Sequence, residues 1–245
     1  MFELLIKLFY VILYQPLFNF LVLLYNYLPG HDFGVAVIVL TLVVRLILSP
    51  SSIKAMKTQR VLNEIQPQIQ EIQKKHKNDK EKQAKETLNL YKQAKINPFG
   101  GLLSTLIQLP LLLALYQVFW NGLKLEELAK NLYSFIPDPG VINATFLGII
   151  DLSKPNIILA ILAGILQFIQ TKTTLPKPTV GGDKSSDFGR AMQKQMVYFF
   201  PFLTVIILLS LPSALGLYWI AGSIFMIVEL RLIGKKQTAI DNTKK

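Results

Sequence analysis

The segment GVAVIVLTLVVRLILSP, residues Gly34 to Pro50, carries a single charged residue, Arg45, inside an apolar run. The charge-free part from Phe33 to Val44 would form only about 18 Å of helix at 1.5 Å per residue. A bilayer core is about 30 Å thick and needs about 20 helical residues. The helix must therefore continue through Arg45 to Pro50 in order to cross, which places Arg45 at membrane depth.

The sequence leaves two interpretations of Arg45 open. Its side chain could extend to the headgroups, since Ser49 and Pro50 end the apolar run one turn later. It could instead face a hydrated cavity, because a buried arginine costs on the order of 3 kcal/mol unless it meets water or a partner. Thr41 lies on the same helical face, and no predicted span carries an Asp or Glu in its interior. The other uncharged polar groups at membrane depth are Gln108, Gln117 and Gln167. Together these residues favour a wet, positively charged cavity open to the cytoplasm.

Composition extends the membrane interpretation to the whole chain. Hydrophobic residues make up 51% and charged residues only 17%, against about a quarter charged in soluble domains, and the mean hydropathy is +0.41. The apolar residues cluster in five blocks: Phe33 to Val44, Phe99 to Gly122, Asn156 to Thr171, Met196 to Leu211 and Ala214 to Val228. This pattern predicts an all-α polytopic membrane protein with five transmembrane helices.

The net charge of +11 follows topology. Eleven Lys and Arg lie between Ser49 and Asn97, three between Asn121 and Pro155, five between Lys172 and Gln195, and five from Arg231 onward. Lysine and arginine accumulate in cytoplasmic loops. The alternation predicts an N-terminus outside and a C-terminus in the cytoplasm of a bacterial plasma (inner) membrane. Direct nucleic-acid recognition is therefore not needed to explain the basic charge.

The long charged segment after Pro50 predicts an antiparallel cytoplasmic helical hairpin. Apolar residues follow a coiled-coil spacing in its first half (Leu62, Ile65, Ile69, Ile72), and a second stripe is expected to match it (Ala84, Leu88, Tyr91, Ala94). Pro67 is expected to kink or split the first helix. The basic residues near the turn are Lys74, Lys75, Lys77, Lys80 and Lys82. They form either a solvated face that orients the protein or a docking surface for anionic partners or lipid headgroups.

The N-terminal segment from Met1 to Leu28 is apolar, with Pro16 inside it and polar residues on one helical face. An amphipathic helix on the outer membrane surface fits this pattern better than a sixth span, and both remain open. The predicted organisation is an interfacial helix (1–28), a first span (29–53), the hairpin (54–97), a second span (98–122), an external loop (123–153), a third span (154–172), a cytoplasmic loop (173–195), fourth and fifth spans (196–211 and 213–233), and a basic cytoplasmic tail (234–245) expected to be irregular.

Enzymatic chemistry finds little support in the sequence. There are no cysteines, and the two histidines, His31 and His76, lie on opposite sides of the first span. No nucleotide-binding loop, zinc-protease helix or nucleophile elbow is present. We therefore expect a protein that is not an enzyme and that carries no metal and no cofactor.

Four stretches resemble the YidC family of membrane-protein insertases. They are GVAVIVLTLVVRLILSP (Gly34 to Pro50), LNEIQPQIQEIQKKHKND (Leu62 to Asp79), LYKQAKINPFGGLLSTLIQLPLLLALYQVF (Leu90 to Phe119) and LPSALGLYWIAGS (Leu211 to Ser223). The resemblance implies five transmembrane helices around a hydrophilic groove, in a short form without a large external domain. The family's groove residues fall on Arg45, Thr41, Gln108, Tyr218 and Trp219.

The implied function is to pass nascent transmembrane segments from the cytoplasm into the bilayer, alone or with the Sec translocon. The implied partners are nascent membrane proteins and lipid, together with ribosomes and signal-recognition targeting factors at the hairpin. A small-solute or ion transporter using the same cavity is the alternative, and a scaffold that only docks partners is a third possibility. The sequence does not identify the clients or the oligomeric state.

Overall fold

The computed structural model describes residues 2–97, 100–121, 124–174 and 195–243. An N-terminal helical segment contains α1 (Phe2–Phe9), a π-helical turn (Tyr10–Tyr14) and α2 (Gln15–Tyr27). A 3-10 turn (Pro29–His31), in which Gly30 adopts a positive φ of 81°, reverses the chain into the next helix. Such a backbone conformation favours glycine.

The first predicted span and the first hairpin helix form one helix, α3 (Phe33–Lys75). Asp32 caps it by accepting a hydrogen bond from the Val35 amide at 2.8 Å. Of the two effects expected of Pro67, a split of the helix is wrong, since both Pro50 and Pro67 lie inside the continuous helix on exposed positions. An exposed proline removes one helical hydrogen bond but leaves the freed carbonyl accessible to water, so the helix can continue.

The hairpin is completed by α4 (Lys80–Gln93), which Asp79 caps through the Lys82 amide. The predicted apolar stripe is only partly correct. Ile69 is 6% exposed, whereas Leu88 is 52% exposed. The face of α4 turned toward α3 contains Glu86 and Leu90 instead, and Glu86 Oε2 lies 2.9 Å from Nε2 of the buried His76.

The remaining elements are α5 (Gly100–Asn121), α6 (Leu125–Asn131), a two-stranded antiparallel hairpin of β1 (Thr145–Phe146) and β2 (Ile150–Asp151), α7 (Ile157–Thr174), a π-helical turn (Gln195–Phe199), α8 (Phe200–Leu208) and α9 (Ser213–Thr243). The prediction of an irregular tail is wrong for residues up to Thr243, because α9 continues through them. The predicted cytoplasmic loop 173–195 lies mostly outside the described residues.

Among the described residues, four helices are long and apolar enough to cross a membrane: Glu3–Tyr27, Phe33–Lys75, Ile157–Thr174 and Ser213–Ile233. Two shorter apolar stretches, Gln108–Trp120 and Val197–Leu208, belong to α5 and α8. The chain is therefore an all-α polytopic membrane protein, as predicted, with one small β-hairpin in the loop between α6 and α7.

Helix α9 is the central element of the bundle and packs mainly against α7 and α3. Its first third is almost fully buried, including Ala214, Leu217 and Ile220. We call the end of the bundle from which α3 and α4 project the hairpin end. The opposite end, where residues 124–155 lie, is the loop end. Lys154 O accepts from the Ser213 amide at 3.0 Å, which fixes the start of α9 at the loop end.

Candidate functional site

Arg45 lies at the contact between α3 and α9. A methyl group placed on Gly222 of α9 would lie 2.7 Å from Arg45 Nη2 and 3.0 Å from Nε. Both distances are shorter than a normal non-bonded contact. The guanidinium therefore rests directly on the α9 backbone, a position that only a glycine at 222 leaves open.

No ion pair to Arg45 occurs among the described residues, and its buried Nε has no hydrogen-bond partner there. The side chain as a whole is half-buried. A cationic donor left unpaired at membrane depth interacts strongly with any polar or anionic group that reaches it. This geometry is closer to the cavity interpretation than to a side chain extended into the headgroups.

Thr41 and Tyr218 lie one helical turn from Arg45 and Gly222, toward the loop end. Thr41 is fully buried, and its hydroxyl donates to Val37 O at 2.6 Å. Tyr218 is 2% exposed, lies within electrostatic reach of Arg45, and its hydroxyl has no hydrogen-bond partner among the described residues. Three of the expected groove residues, Arg45, Thr41 and Tyr218, thus lie along the contact between the parallel helices α3 and α9. We call this contact the seam. Thr41 is an acceptor there, because its own proton is used within the helix.

Gln108 of α5 lies at the depth of Arg45. The rings of Phe33 and Phe119 meet edge to face at 6.3 Å near the loop end, where α3 starts and α5 finishes. Arg45 lies twelve residues after Phe33, about 18 Å along α3 toward the hairpin end. Gln108 lies eleven residues before Phe119, about 16.5 Å along α5 in the same direction, so the two residues have a similar depth. Gln108 is also on the stripe that contains the buried Leu115, seven residues away, yet Gln108 is exposed. This side of α5 is therefore not covered by protein at Gln108.

Gln117 is not brought to the same place. It is nine residues from Gln108, so it points to the opposite side of the helix, about 180° away. It lies only two residues from Phe119 and is exposed near the loop end. Two glutamines of one helix thus differ in both depth and direction.

Gln167 and Trp219 have different positions relative to this seam. Gly216 of α9 packs on Leu159 of α7: a Cβ placed on Gly216 would lie 3.5 Å from Leu159 Cβ. Gln167 is eight residues beyond Leu159, about 12 Å, and Gly222 is six beyond Gly216, about 9 Å, so the two lie at similar depth. The Gln167 Oε1 atom is buried without a partner among the described residues. Trp219 is half-buried and, as the neighbour of Tyr218 in the chain, points about 100° away from it.

Sequence reasoning missed a second polar cluster at the hairpin end of the seam, the serine–glutamate clasp. The hydroxyls of Ser49 and Ser52, on either side of Pro50, donate to the two carboxylate oxygens of Glu229, the second over 2.8 Å. Glu229 is 8% exposed. The clasp joins α3 to α9 just beyond Arg45. The residues are about 180 positions apart in the chain, so only the chemical oddity of a glutamate at the end of a span could have signalled it.

The five hairpin lysines, Lys74, Lys75, Lys77, Lys80 and Lys82, are all exposed near the turn between α3 and α4. They are far along α3 from Arg45, since Lys74 is 29 residues, or about 43 Å, beyond it. The basic hairpin surface and the Arg45 seam are therefore two separate features on one long helix.

The site offers binding chemistry. Among the described residues, no group of three or more His, Cys, Asp or Glu side chains could hold a metal ion. One fixed cation, flanked by buried hydroxyls and apolar walls, can attract and hydrogen-bond an anionic or polar peptide group. Helices α7 and α8, which pack against each other, carry strongly exposed apolar residues such as Ile158 and Phe202.

Comparison with known proteins was consistent over most of the chain. A family model described as "60Kd inner membrane protein" matches residues 23–240. A protein of Clostridium tetani named "Membrane protein insertase YidC" is 36% identical over 208 residues, which are 84% of this chain and 84% of that protein. Proteins of the same name from Oceanobacillus iheyensis and Fusobacterium nucleatum are 33% identical over 215 residues (86% of this chain, 77% of the relative) and 30% identical over 226 residues (91% and 98%).

Proposed function

This chain belongs to the 60Kd inner membrane protein family and is a membrane-protein insertase, and from that premise we propose that it receives polar flanks of client segments in a hydrophilic groove around Arg45. The protein is membrane-embedded, and its partners are substrate membrane proteins and membrane lipid. The solute-transporter alternative is not supported by the three relatives named above, which carry the insertase name.

The observation that carries the groove proposal is the buried Nε of Arg45, which has no hydrogen-bond partner among the described residues, at the depth where Gln108 is exposed. A carboxylate about 4 Å from this cation would gain about 4 kcal/mol at an effective dielectric constant near 20, against about 1 kcal/mol in water. That gain offsets part of the dehydration of an acidic tail. Capture requires no nucleotide and no reaction, so we propose that the protein is not an enzyme.

The following apolar segment would leave the groove along the exposed apolar surfaces of α7 and α8. Helix α8 and the π-helical turn before it span Gln195 to Leu208, about 21 Å of helix, which is shorter than a bilayer core. A short span thins the bilayer around it. A thinner bilayer lowers the barrier for the polar tail, and burial of the apolar segment in lipid drives its passage. Trp219, half-buried on α9, is the proposed aromatic contact on this path.

We propose that the protein lies in the plasma (inner) membrane with its hairpin end in the cytoplasm. The support is the excess of Lys and Arg in the hairpin over the loop between α5 and α7. In this orientation the groove opens to the side where clients are synthesised. The exposed hairpin lysines would then contact ribosomes, signal-recognition targeting factors or the Sec translocon.

The N-terminal helix is proposed to lie on the outer surface rather than to cross the membrane. Polar side chains along its length contact one short stretch of the loop: Tyr10, Gln15 and Asn19 reach Asn131, and Asn26 donates to Pro137 O at 2.7 Å. The span from residue 10 to residue 26 is about 24 Å of helix. A crossing helix would carry most of that length away from an external loop, so contacts along its whole length support an interfacial position.

Site-specific photocrosslinking tests the groove proposal, with a photoreactive residue at Gln108 or at Gln117. Both positions are exposed and lie on one helix, but they face opposite sides. We expect a ribosome-bound, single-span client to crosslink at 108 and only weakly at 117. Equal crosslinking at both positions, or preference for 117, would contradict the proposed path.

A further inference from the structure

A second cavity lies outside the Arg45 seam, between α3, α7 and α9 at the hairpin end. Its volume is about 190 Å³, and Lys57 and Arg60 of α3 contribute its charged lining. This is several times the roughly 30 Å³ share of one water in the liquid and below the 300 Å³ at which small-molecule pockets begin. The cavity therefore fits a headgroup-sized fragment rather than a whole soluble ligand.

The cavity lies where the spans end. Thr173 of α7 and Leu230 of α9 both line it. Each is fourteen residues, about 21 Å, beyond the contact between Leu159 and Gly216, so they share one depth. The first basic residues after the apolar parts of these two helices, Lys172 and Arg231, are adjacent to them in the chain. This depth corresponds to the boundary between hydrocarbon and headgroups.

The lining has two chemical sides. Lys57 and Arg60 are exposed cations, and Gln59, whose Nε2 donates to Asn63 Oδ1 at 3.0 Å, adds amide groups beside them. The lining from α9 is apolar and consists of Leu230 and Ile233, and Met56 of α3 adds a further apolar side chain. A cationic side facing water and an apolar side facing the membrane match a ligand that carries both a negative headgroup and hydrocarbon.

Lys57 keeps the cavity cationic, since no ion pair to it occurs among the described residues. Glu64 pairs with Arg60 at 3.2 Å, and its side chain is 61% exposed. Glu229 is occupied by the hydroxyls of the clasp. The segment of α7 that borders the cavity, from Phe168 to Thr174, contains no acidic residue.

We propose that this cavity binds the phosphate headgroup of an anionic membrane lipid in the leaflet at the hairpin end, with Lys57 and Arg60 as the charge partners. Basic pockets between transmembrane helices on the cytoplasmic side are suited to such headgroups. The acyl chains would lie along the apolar side formed by Leu230 and Ile233. The bound lipid then fills the gap between α3, α7 and α9, and it couples the helix that carries Arg45 to the two helices behind it.

The experiment measures lipid retained by the purified full-length chain in native mass spectrometry, with phosphatidylglycerol or phosphatidylcholine supplied in detergent. We expect one phosphatidylglycerol to be retained preferentially. Lys57→Gln should lower the affinity for phosphatidylglycerol about fivefold, because one cation near a membrane surface contributes about 1 kcal/mol. Lys54→Gln is the matched control, since it removes the same charge from an exposed position of the same helix that does not line the cavity, and it should leave retention unchanged.

Glu64→Gln gives the opposite change, because it removes the carboxylate that competes for Arg60, and it should raise phosphatidylglycerol retention. Unfolding temperatures with and without the lipid provide a second readout, in which the lipid stabilises wild type more than Lys57→Gln. Equal retention of both lipids, or equal losses in Lys54→Gln and Lys57→Gln, would overturn the proposal. Full displacement of the lipid by millimolar inorganic phosphate would also overturn it, because the apolar side would then contribute nothing.

Discussion

The contact between Arg45 and Gly222 gives a prediction in which no charge is changed. In Gly222→Ala, the added methyl group would lie 2.7 Å from Nη2. Optimal non-bonded separations begin near 3.5 Å, so the guanidinium must move by about 0.8 Å. If a client carboxylate stays about 4 Å from the original position, the attraction at a dielectric constant near 20 falls from about 4.2 to about 3.5 kcal/mol. Insertion of an acidic-tailed client should therefore slow about threefold.

The stability of Gly222→Ala should stay close to wild type. Alanine in place of a helical glycine stabilises by about 0.5–1 kcal/mol. Displacing the Arg45 side chain from its rotamer costs about 0.5–1.5 kcal/mol, so the two contributions nearly cancel. The expected result is therefore a change in insertion of acidic clients without a matching change in unfolding temperature.

The assay is protease protection of a single-span client inserted into proteoliposomes, with acidic and neutral versions of the same tail. Gly216→Ala is the matched control, since its methyl group would meet Leu159 at an ordinary 3.5 Å. We expect the acidic client alone to slow in Gly222→Ala, and neither client to slow in Gly216→Ala. Wild-type insertion of the acidic client by Gly222→Ala would refute the claim that the guanidinium acts from its position on α9.

Three further predictions concern the parts that hold the site in place. Replacing Ser49 and Ser52 together by alanine leaves the carboxylate of the clasp buried without its donors, and thermal unfolding should show a loss of about 1–3 kcal/mol; unchanged stability would mean that the clasp does not join the helices. Asn19→Ala removes the bonds from its side chain to Asn131 O and from the Tyr133 amide, and the N-terminal helix should become more sensitive to protease, which an unaltered cleavage rate would contradict. In the hairpin, Ile69→Ser should destabilise by about 2 kcal/mol or more in chemical unfolding, whereas Leu88→Ser should have little effect, and equal effects would contradict the observed burial.

Much of this arrangement could be predicted because it follows from helical spacing. The length of the apolar run before Arg45 placed that residue at membrane depth, and the four-residue interval placed Thr41 on its face. The apolar blocks predicted an all-α membrane protein. The separation of Gln117 from Gln108 could also have been read from the sequence, because nine residues correspond to two and a half helical turns.

Other features depend on tertiary contacts that spacing does not encode. The clasp joins Ser49 and Ser52 to Glu229 across most of the chain, and the register of α3 against α9 decides that they meet. The prediction that Leu88 of α4 packs against α3 is wrong, because it relied on apolar spacing alone. In the structure α4 turns the face with Glu86 toward α3, where Glu86 pairs with His76. The local rule that proline ends a helix did not apply at Pro67, where the helix continues.

The most direct test of the central claim is a charge exchange between Arg45 and the client. Arg45→Glu should slow insertion of a client with an acidic tail by at least tenfold. When the tail acids of that client are replaced by lysine, the variant should insert it at the wild-type rate or faster. A neutral-tailed client, inserted at similar rates by both proteins, shows that the variant is folded. If Arg45→Glu slows acidic and basic clients equally, the side chain acts by hydrating the groove, and electrostatic capture of the client is contradicted.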